Sequence, residues 1–222
     1  MRGAGCGLVE SWRCIVVIIN SVADSSNVSF VTGLRTVFLD RDGVVNEKLP
    51  EGQFVQSWSD FKIHAGVAGA IARLNRAGLR VVVVSNQSGI ALGLYTAEDV
   101  GAIHAGMQEL LARQGAHVDG FYFCPHGKGQ CNCRKPLPGL FEQAVAEFPE
   151  ITGASSVMIG DSLPDIEFGQ RLGMKTIFIE GNRERQKPGA ETAGAMAGAR
   201  FSSLAEAVEW QLAERGAELG RN

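Results

Sequence analysis

Val81-Val82-Val83-Val84 is a run of four β-branched residues with no polar residue among them. A strand with one wet face alternates apolar and polar residues. A continuous apolar run means that both faces are covered, as in a parallel sheet flanked by helices on either side. Four other short apolar runs fit the same role: Thr36-Val37-Phe38-Leu39, Phe121-Tyr122-Phe123, Val157-Met158-Ile159 and Thr176-Ile177-Phe178-Ile179. Helical patterns lie between them. Residues 67–77 place Val67, Ile71 and Leu74 at helical spacing before Gly78. Thr96 followed by Asp99 reads as an N-cap with an acid at N3, opening a helix to about Gln114. Pro138 opens another that halts near Phe148, before Pro149, and a short one runs from Pro164 to Leu172. Ser202 or Ser203 caps a last helix in which Leu204, Val208 and Leu212 recur every four residues. The Gly- and Ala-rich stretch 181–199 reads as a loop or a poorly ordered helix. Strands alternating with helices predict an α/β fold, a three-layer α/β/α sandwich around a central parallel sheet.

The 222 residues suit one such domain, and 45% hydrophobic with 20% charged residues can both bury a core and keep a polar surface. Globular patterning begins abruptly at Gly33-Leu34-Arg35-Thr36, so the working domain is expected over residues 34–222. Residues 1–33 are expected to be an N-terminal extension, with Val31 a candidate for a misassigned start. The longest apolar run near the start, residues 14–19, is far short of the roughly 20 residues of a membrane span, and Glu10 stands just before it, against a secretory signal. A net charge of −3 argues against nucleic acid as the main partner. The expectation is a cytoplasmic, monomeric protein that binds neither nucleic acid nor membrane.

In open α/β sheets ligands bind beyond the carboxyl ends of the strands. Asp40, Ser85, Cys124 and Asp161 stand at or just past such ends. Asp40-Arg41-Asp42-Gly43 sets two acids two residues apart in a turn made by glycine. A carboxylate attacks phosphate poorly until a cation neutralises the target; Mg²⁺ does this and prefers oxygen ligands. Asp42 could then protonate the leaving oxygen and later deprotonate water. Asp161, in Gly160-Asp161-Ser162-Leu163-Pro164-Asp165, would complete the metal site, with Asp165 one helical turn onward in support. Ser85-Asn86-Gln87-Ser88-Gly89 offers a hydroxyl and backbone N–H groups to phosphate oxygens. Lys135 can neutralise a transferring phosphoryl group, and the fork of Arg134 can grip a second anionic or polar group.

Cys124-Pro125-His126 and Cys131-Asn132-Cys133 form a C-x-H-x₄-C-x-C array. Three sulfurs and one nitrogen suit tetrahedral Zn²⁺ with no open position, hence a structural ion stapling a small loop. Thiolates used in this way fit a reducing compartment.

Together, Phe38 to Asn46 (FLDRDGVVN), Ser85 to Ala91 (SNQSGIA), Cys133 to Pro136 (CRKP) and Gly160 to Asp165 (GDSLPD) resemble the haloacid dehalogenase superfamily of phosphohydrolases. The sequence looks like its branch of heptose bisphosphate and histidinol-phosphate phosphatases, over about residues 35–180. The resemblance implies a Rossmann-like core, Asp40 as nucleophile, Asp42 as acid/base, and Ser85 and Lys135 as phosphoryl stabilisers. It implies Mg²⁺ on Asp40, the Asp42 backbone carbonyl and Asp161, substrate contacts from Asn86, Gln87, Ser88 and Arg134, and zinc on Cys124, His126, Cys131 and Cys133. The stretch from Lys48 to Gln53 is also expected at the substrate. The loop between His126 and Cys131 is shorter than in the long-loop heptose enzymes. Lys128 and Arg134 in and beside an acid-free zinc loop favour a sugar bisphosphate, D-glycero-β-D-manno-heptose 1,7-bisphosphate, over the cationic histidinol phosphate. A polynucleotide 3′-phosphatase and a non-catalytic zinc module are the more distant alternatives.

Overall fold

The computed structural model describes residues 33–219; the expected extension, save Gly33, lies outside the described residues, as do Cys6 and Cys14. Six strands form one all-parallel sheet: β1 (Thr36–Leu39), β2 (Arg80–Asn86), β3 (Gly120–Cys124), β4 (Ser156–Gly160), β5 (Lys175–Ile179) and β6 (Ala199–Phe201), in the order β3-β2-β1-β4-β5-β6. Connecting them are α1 (Val67–Arg76), α2 (Ala97–Ala112), α3 (Gly139–Glu147), α4 (Leu163–Arg171) and α5 (Ala190–Met196), with α6 (Leu204–Leu219) after β6.

The uninterrupted apolar strands are explained by two separate cores. Val37, Leu39, Val81, Val83, Val157 and Ile159 point to one face, where they pack with Ile71 and Leu74 of α1, Met107 and Leu111 of α2 and Val208 of α6. Their neighbours Phe38, Val82, Val84 and Met158 point the other way, against Leu140 of α3 and Phe168 of α4. Phe178 of β5 meets Ala190 and Ala193 of α5 on a smaller patch. Each fully buried Val or Leu side chain contributes about 1.5–3 kcal/mol of hydrophobic free energy, which makes the sheet the rigid part of the molecule.

Local chemistry sets the helix starts. Thr96 Oγ1 accepts from Asp99 N–H (3.1 Å) while Asp99 Oδ2 accepts from Thr96 N–H (2.8 Å), a reciprocal capping box that opens α2. Ser162 and Asp165 form the same box at α4. Ser203 Oγ accepts from Glu206 N–H (3.3 Å) where α6 begins. Residues 181–199 contain more order than their composition suggests, namely α5, and lead into the three-residue strand β6. Both escape a reading by periodicity because they are too short to repeat a pattern. Contacts with Phe178 and the edge of β5 hold them instead. No helix among the described residues is long and apolar enough to cross a membrane.

The chain moves from β1 outward to β2 and β3, then returns to the other side of β1 for β4. The carboxyl ends of β1 and β4 therefore flank the point where the winding direction reverses, the usual crevice in such sheets. Leu39 is level with both Val83 and Ile159, so Asp40, Ser85 and Asp161 emerge at nearly the same height.

Candidate active site

Asp40 is the first residue past β1, and its N–H still donates to Ile159 O (2.9 Å), so the sheet holds its backbone. Its carboxylate is buried and receives Lys135 Nζ at Oδ1 (2.8 Å). The same ammonium donates to Val84 O (2.6 Å) and pairs with Asp165 Oδ1 (2.6 Å), giving it three acceptors for three protons. Lys135 comes from the loop after the cysteine array, and Asn86 fixes it there. Asn86 Oδ1 accepts from Lys135 N–H (3.0 Å), and Asn86 Nδ2 donates to Lys135 O (3.1 Å). Burial would push the Lys135 ammonium down, but the carboxylates of Asp165 and Asp40 outweigh it and hold the lysine charged. Burial and the nearby Asp165 push the Asp40 carboxyl up, against the pull of Lys135.

Asp40, Asp161 and Asp165 each bring a carboxylate oxygen within 4.8 Å of the others. Asp161 is pushed up to about 7, chiefly by burial, with Lys48 opposing the rise and Asp40 and Asp165 adding to it. Its Oδ2 meets the ammonium of Lys48, while its Oδ1 is buried with no hydrogen-bond partner. An orphaned oxygen among crowded acids is the donor set a hard divalent cation fits. Asp161 comes this close to β1 because residue 43 is glycine: a Cβ there would lie 2.1 Å from Asp161 Oδ2.

Asp42 turns elsewhere, and its side chain is not among the clustered carboxylates. It accepts from Arg41 Nη2 (2.9 Å), Asn46 Nδ2 (3.0 Å) and Gln87 Nε2 (2.9 Å). Burial would raise it, but the Arg41 guanidinium and the two amides hold it below the usual carboxylate range. Any share of Asp42 in a metal site therefore falls to its backbone carbonyl. Gln87 Nε2 also donates to Ser85 Oγ (2.6 Å). Asn86 and Gln87, expected at the substrate, thus use their amides on Lys135, Asp42 and Ser85. Ser88 is half-buried in the following turn, where its carbonyl accepts from Leu92 N–H (3.3 Å).

At the end of β3, Cys124 Sγ lies 3.5 Å from Cys131 Sγ and 3.8 Å from His126 Nδ1; Cys133 Sγ lies 3.2 Å from Cys131 Sγ and 3.3 Å from His126 Nδ1. Zn–S bonds of about 2.3 Å and Zn–N bonds of about 2.0–2.1 Å set tetrahedral edges of about 3.5–3.8 Å, close to these separations. The four residues could hold a metal ion. Arg134 Nη1 donates to His126 O (3.3 Å), which ties the arginine to this loop.

A family model described as HAD-hydrolase-like matches residues 132–207. Over 184 residues the chain is 38% identical to the D-glycero-alpha-D-manno-heptose-1,7-bisphosphate 7-phosphatase of Mycobacterium tuberculosis, covering 81% of this chain and 94% of that one. The chain belongs to the haloacid dehalogenase family of hydrolases. The family's D-glycero-beta-D-manno-heptose-1,7-bisphosphate 7-phosphatase from Bordetella bronchiseptica is 36% identical over 154 residues, covering 69% of this chain and 84% of that one. A crystal structure of the D,D-heptose 1,7-bisphosphate phosphatase from B. bronchiseptica, complexed with magnesium and phosphate, superposes with a TM-score of 0.71 at 33% identity. It covers 82% of this chain and 99% of that one.

Haloacid dehalogenase motifs account for most of the polar residues at the strand ends, but not all of them. A cavity of about 240 Å³ opens beside Asp161 and Gly43, lined also by Glu47, Lys48, His64 and Arg185. Arg185 Nη1 donates to Lys48 O (2.7 Å), linking the loop after β1 to the one after β5. Arg185 sits in the stretch without periodicity, and no sequence signal marked it. Tyr95 also escaped notice; its hydroxyl donates to Gln87 Oε1 (2.8 Å).

Proposed function

We propose that this chain is a magnesium-dependent phosphatase that removes the 7-phosphate of D-glycero-D-manno-heptose 1,7-bisphosphate through a phospho-Asp40 intermediate. The observation that carries the chemistry is the buried cluster of Asp40, Asp161 and Asp165, with Lys135 paired to Asp40 and Asp165 and Asp161 Oδ1 unpartnered. Mg²⁺ would be held by Asp40, the Asp42 backbone carbonyl and Asp161, and would neutralise the phosphate so that a carboxylate can approach it.

The protein's own groups then divide the work. The free carboxylate oxygen of Asp40 attacks phosphorus, and the bond to the C7 oxygen breaks. Asp42 gives its proton to that leaving oxygen; the incoming phosphate dianion raises its proton affinity above that of the empty site. Lys135 and the Ser85 hydroxyl stabilise the charge spread over the phosphoryl oxygens. Asp42 is then ionised, as its three donors favour, and takes a proton from the water that releases phosphate from Asp40. Asp165 holds Lys135 in place. Cys124, His126, Cys131 and Cys133 would carry a structural Zn²⁺ that orders the loop presenting Arg134 and Lys135.

The substrate rests on the heptose bisphosphate relatives and on the basic Lys128 and Arg134. Relatives named for each anomer match at 38% and 36% identity, so the assignment is to the bisphosphate without choice of anomer. Both anomers and histidinol phosphate, assayed side by side for phosphate release, test it. Turnover of the bisphosphate and its loss in Asp40→Asn are expected. A clear preference for histidinol phosphate would overturn the substrate, and an active Asp40→Asn would overturn the chemistry.

A further inference from the structure

We propose that Tyr95 is a positioning residue: its hydroxyl fixes the amide of Gln87 so that one –NH₂ group serves both Asp42 and Ser85. This rests on the roles proposed above for those two residues.

The argument is one of hydrogen-bond bookkeeping. A Gln side chain has one end that only donates and one that only accepts. Here the donating end reaches Asp42 Oδ2 (2.9 Å) and Ser85 Oγ (2.6 Å), and the accepting end receives Tyr95 Oη (2.8 Å). With the amide reversed, its oxygen would face the carboxylate of Asp42, two acceptors in contact. The Tyr95 hydroxyl would then have to accept rather than donate. Asp42, which can only accept, excludes the reversed amide, and the O–H that Tyr95 donates to Oε1 anchors Gln87 in the orientation that supports the acid. The consequence reaches Ser85 as well. Because the serine oxygen already accepts from Gln87, its own proton is free for an acceptor such as a phosphoryl oxygen. One hydroxyl thus anchors a chain, Tyr95 to Gln87 to Asp42 and Ser85, that ends at two of the proposed working groups.

The backbone is shaped around this contact. Tyr95 is 7% exposed and Gln87 2% exposed, so water does not compete for either. Tyr95 lies over the turn after β2 where residue 89 is glycine; a Cβ there would stand 2.1 Å from Tyr95 Cε1. Phe54 also packs against the ring, at 6.1 Å between centroids, so the ring would stay in place without its hydroxyl.

Tyr95→Phe keeps the ring and removes only the donor. The expected result is a fall in kcat of about tenfold, a part of the roughly 10²–10⁴ contributed by a positioned acid/base. KM should stay within about twofold. Orthovanadate, which mimics the transition state, should inhibit about tenfold more weakly, with inhibition by inorganic phosphate unchanged. In a Gln87→Leu background the same substitution should have no further effect, as expected of one connected unit. Unchanged kcat in Tyr95→Phe, or full additivity with Gln87→Leu, would overturn the proposal. So would a parallel loss of melting temperature and of binding for both inhibitors. Failure of the active-site reading itself would show separately, as activity surviving Asp40→Asn.

Discussion

Gly43 turns the chain at φ +104° directly beneath Asp161. In Gly43→Ala the new Cβ would start 2.1 Å from Asp161 Oδ2 and 2.6 Å from its Cγ. Real Cβ contacts almost never fall below 3.0 Å, so the carboxylate must retreat by about 0.9 Å or the turn must open by as much. Asp161 has little room, since Lys48 meets the same oxygen and Asp40 and Asp165 crowd the other side. A misplacement of about 1 Å in a catalytic constellation costs about 10²-fold in rate. The left-handed backbone adds about 1–2 kcal/mol of instability for any residue with a side chain. Gly115→Ala separates these effects: it has φ +67° and no atom within 4 Å of its would-be Cβ. Phosphate release at saturating Mg²⁺ and thermal melting should be measured for both. A small loss of stability is expected for Gly115→Ala and a larger one for Gly43→Ala, with a loss of about 100-fold in kcat/KM for Gly43→Ala alone. If Gly43→Ala stayed within threefold of the parent, the close approach of β1's turn to Asp161 would not matter to the reaction.

Lys48 sets a positive charge on Asp161 Oδ2, next to the unpartnered Oδ1 left for a cation, so Lys48→Met should lower the dissociation constant for Mn²⁺, read by paramagnetic resonance, by about tenfold, about 1.4 kcal/mol; unchanged or weaker binding would contradict that repulsion. Cys131→Ser should abolish zinc measured by elemental analysis and lower the melting temperature by about 10 °C, the shift for a loss of about 3–4 kcal/mol in a domain of this size. His104 is buried in α2 and stacked on Phe121 at 4.7 Å, and burial pushes it down to about 4 from 6.5. The unfolded chain therefore binds the extra proton between these values, so this contribution is complete above pH 6.5 and is lost as pH falls toward 4. It amounts to about 3 kcal/mol at about 1.4 kcal/mol per pH unit. His104→Phe should show a shallower fall of denaturant midpoint between pH 7 and pH 5, and an identical pH slope would remove His104 from the account.

Residue order makes the architecture readable, because burial on both faces of a parallel sheet demands unbroken apolar strands, and Val81 to Val84 fill a core on each face. The cysteine array is legible because its members are closely spaced in the chain, and the strand-end acids because each directly follows an apolar strand; their meeting is decided by the pairing of β1 with β4. Tertiary structure alone decides which way each polar side chain faces. Asn86 and Gln87 look like phosphate ligands in a turn, yet one clamps the backbone of Lys135 and the other bridges Asp42 to Ser85. Tyr95 and Arg185 carry no motif, since each meets its partner through the packing of loops rather than through a local repeat. Composition and periodicity report how much surface must be buried. The direction of a hydrogen bond depends on which groups arrive opposite one another once the sheet has closed.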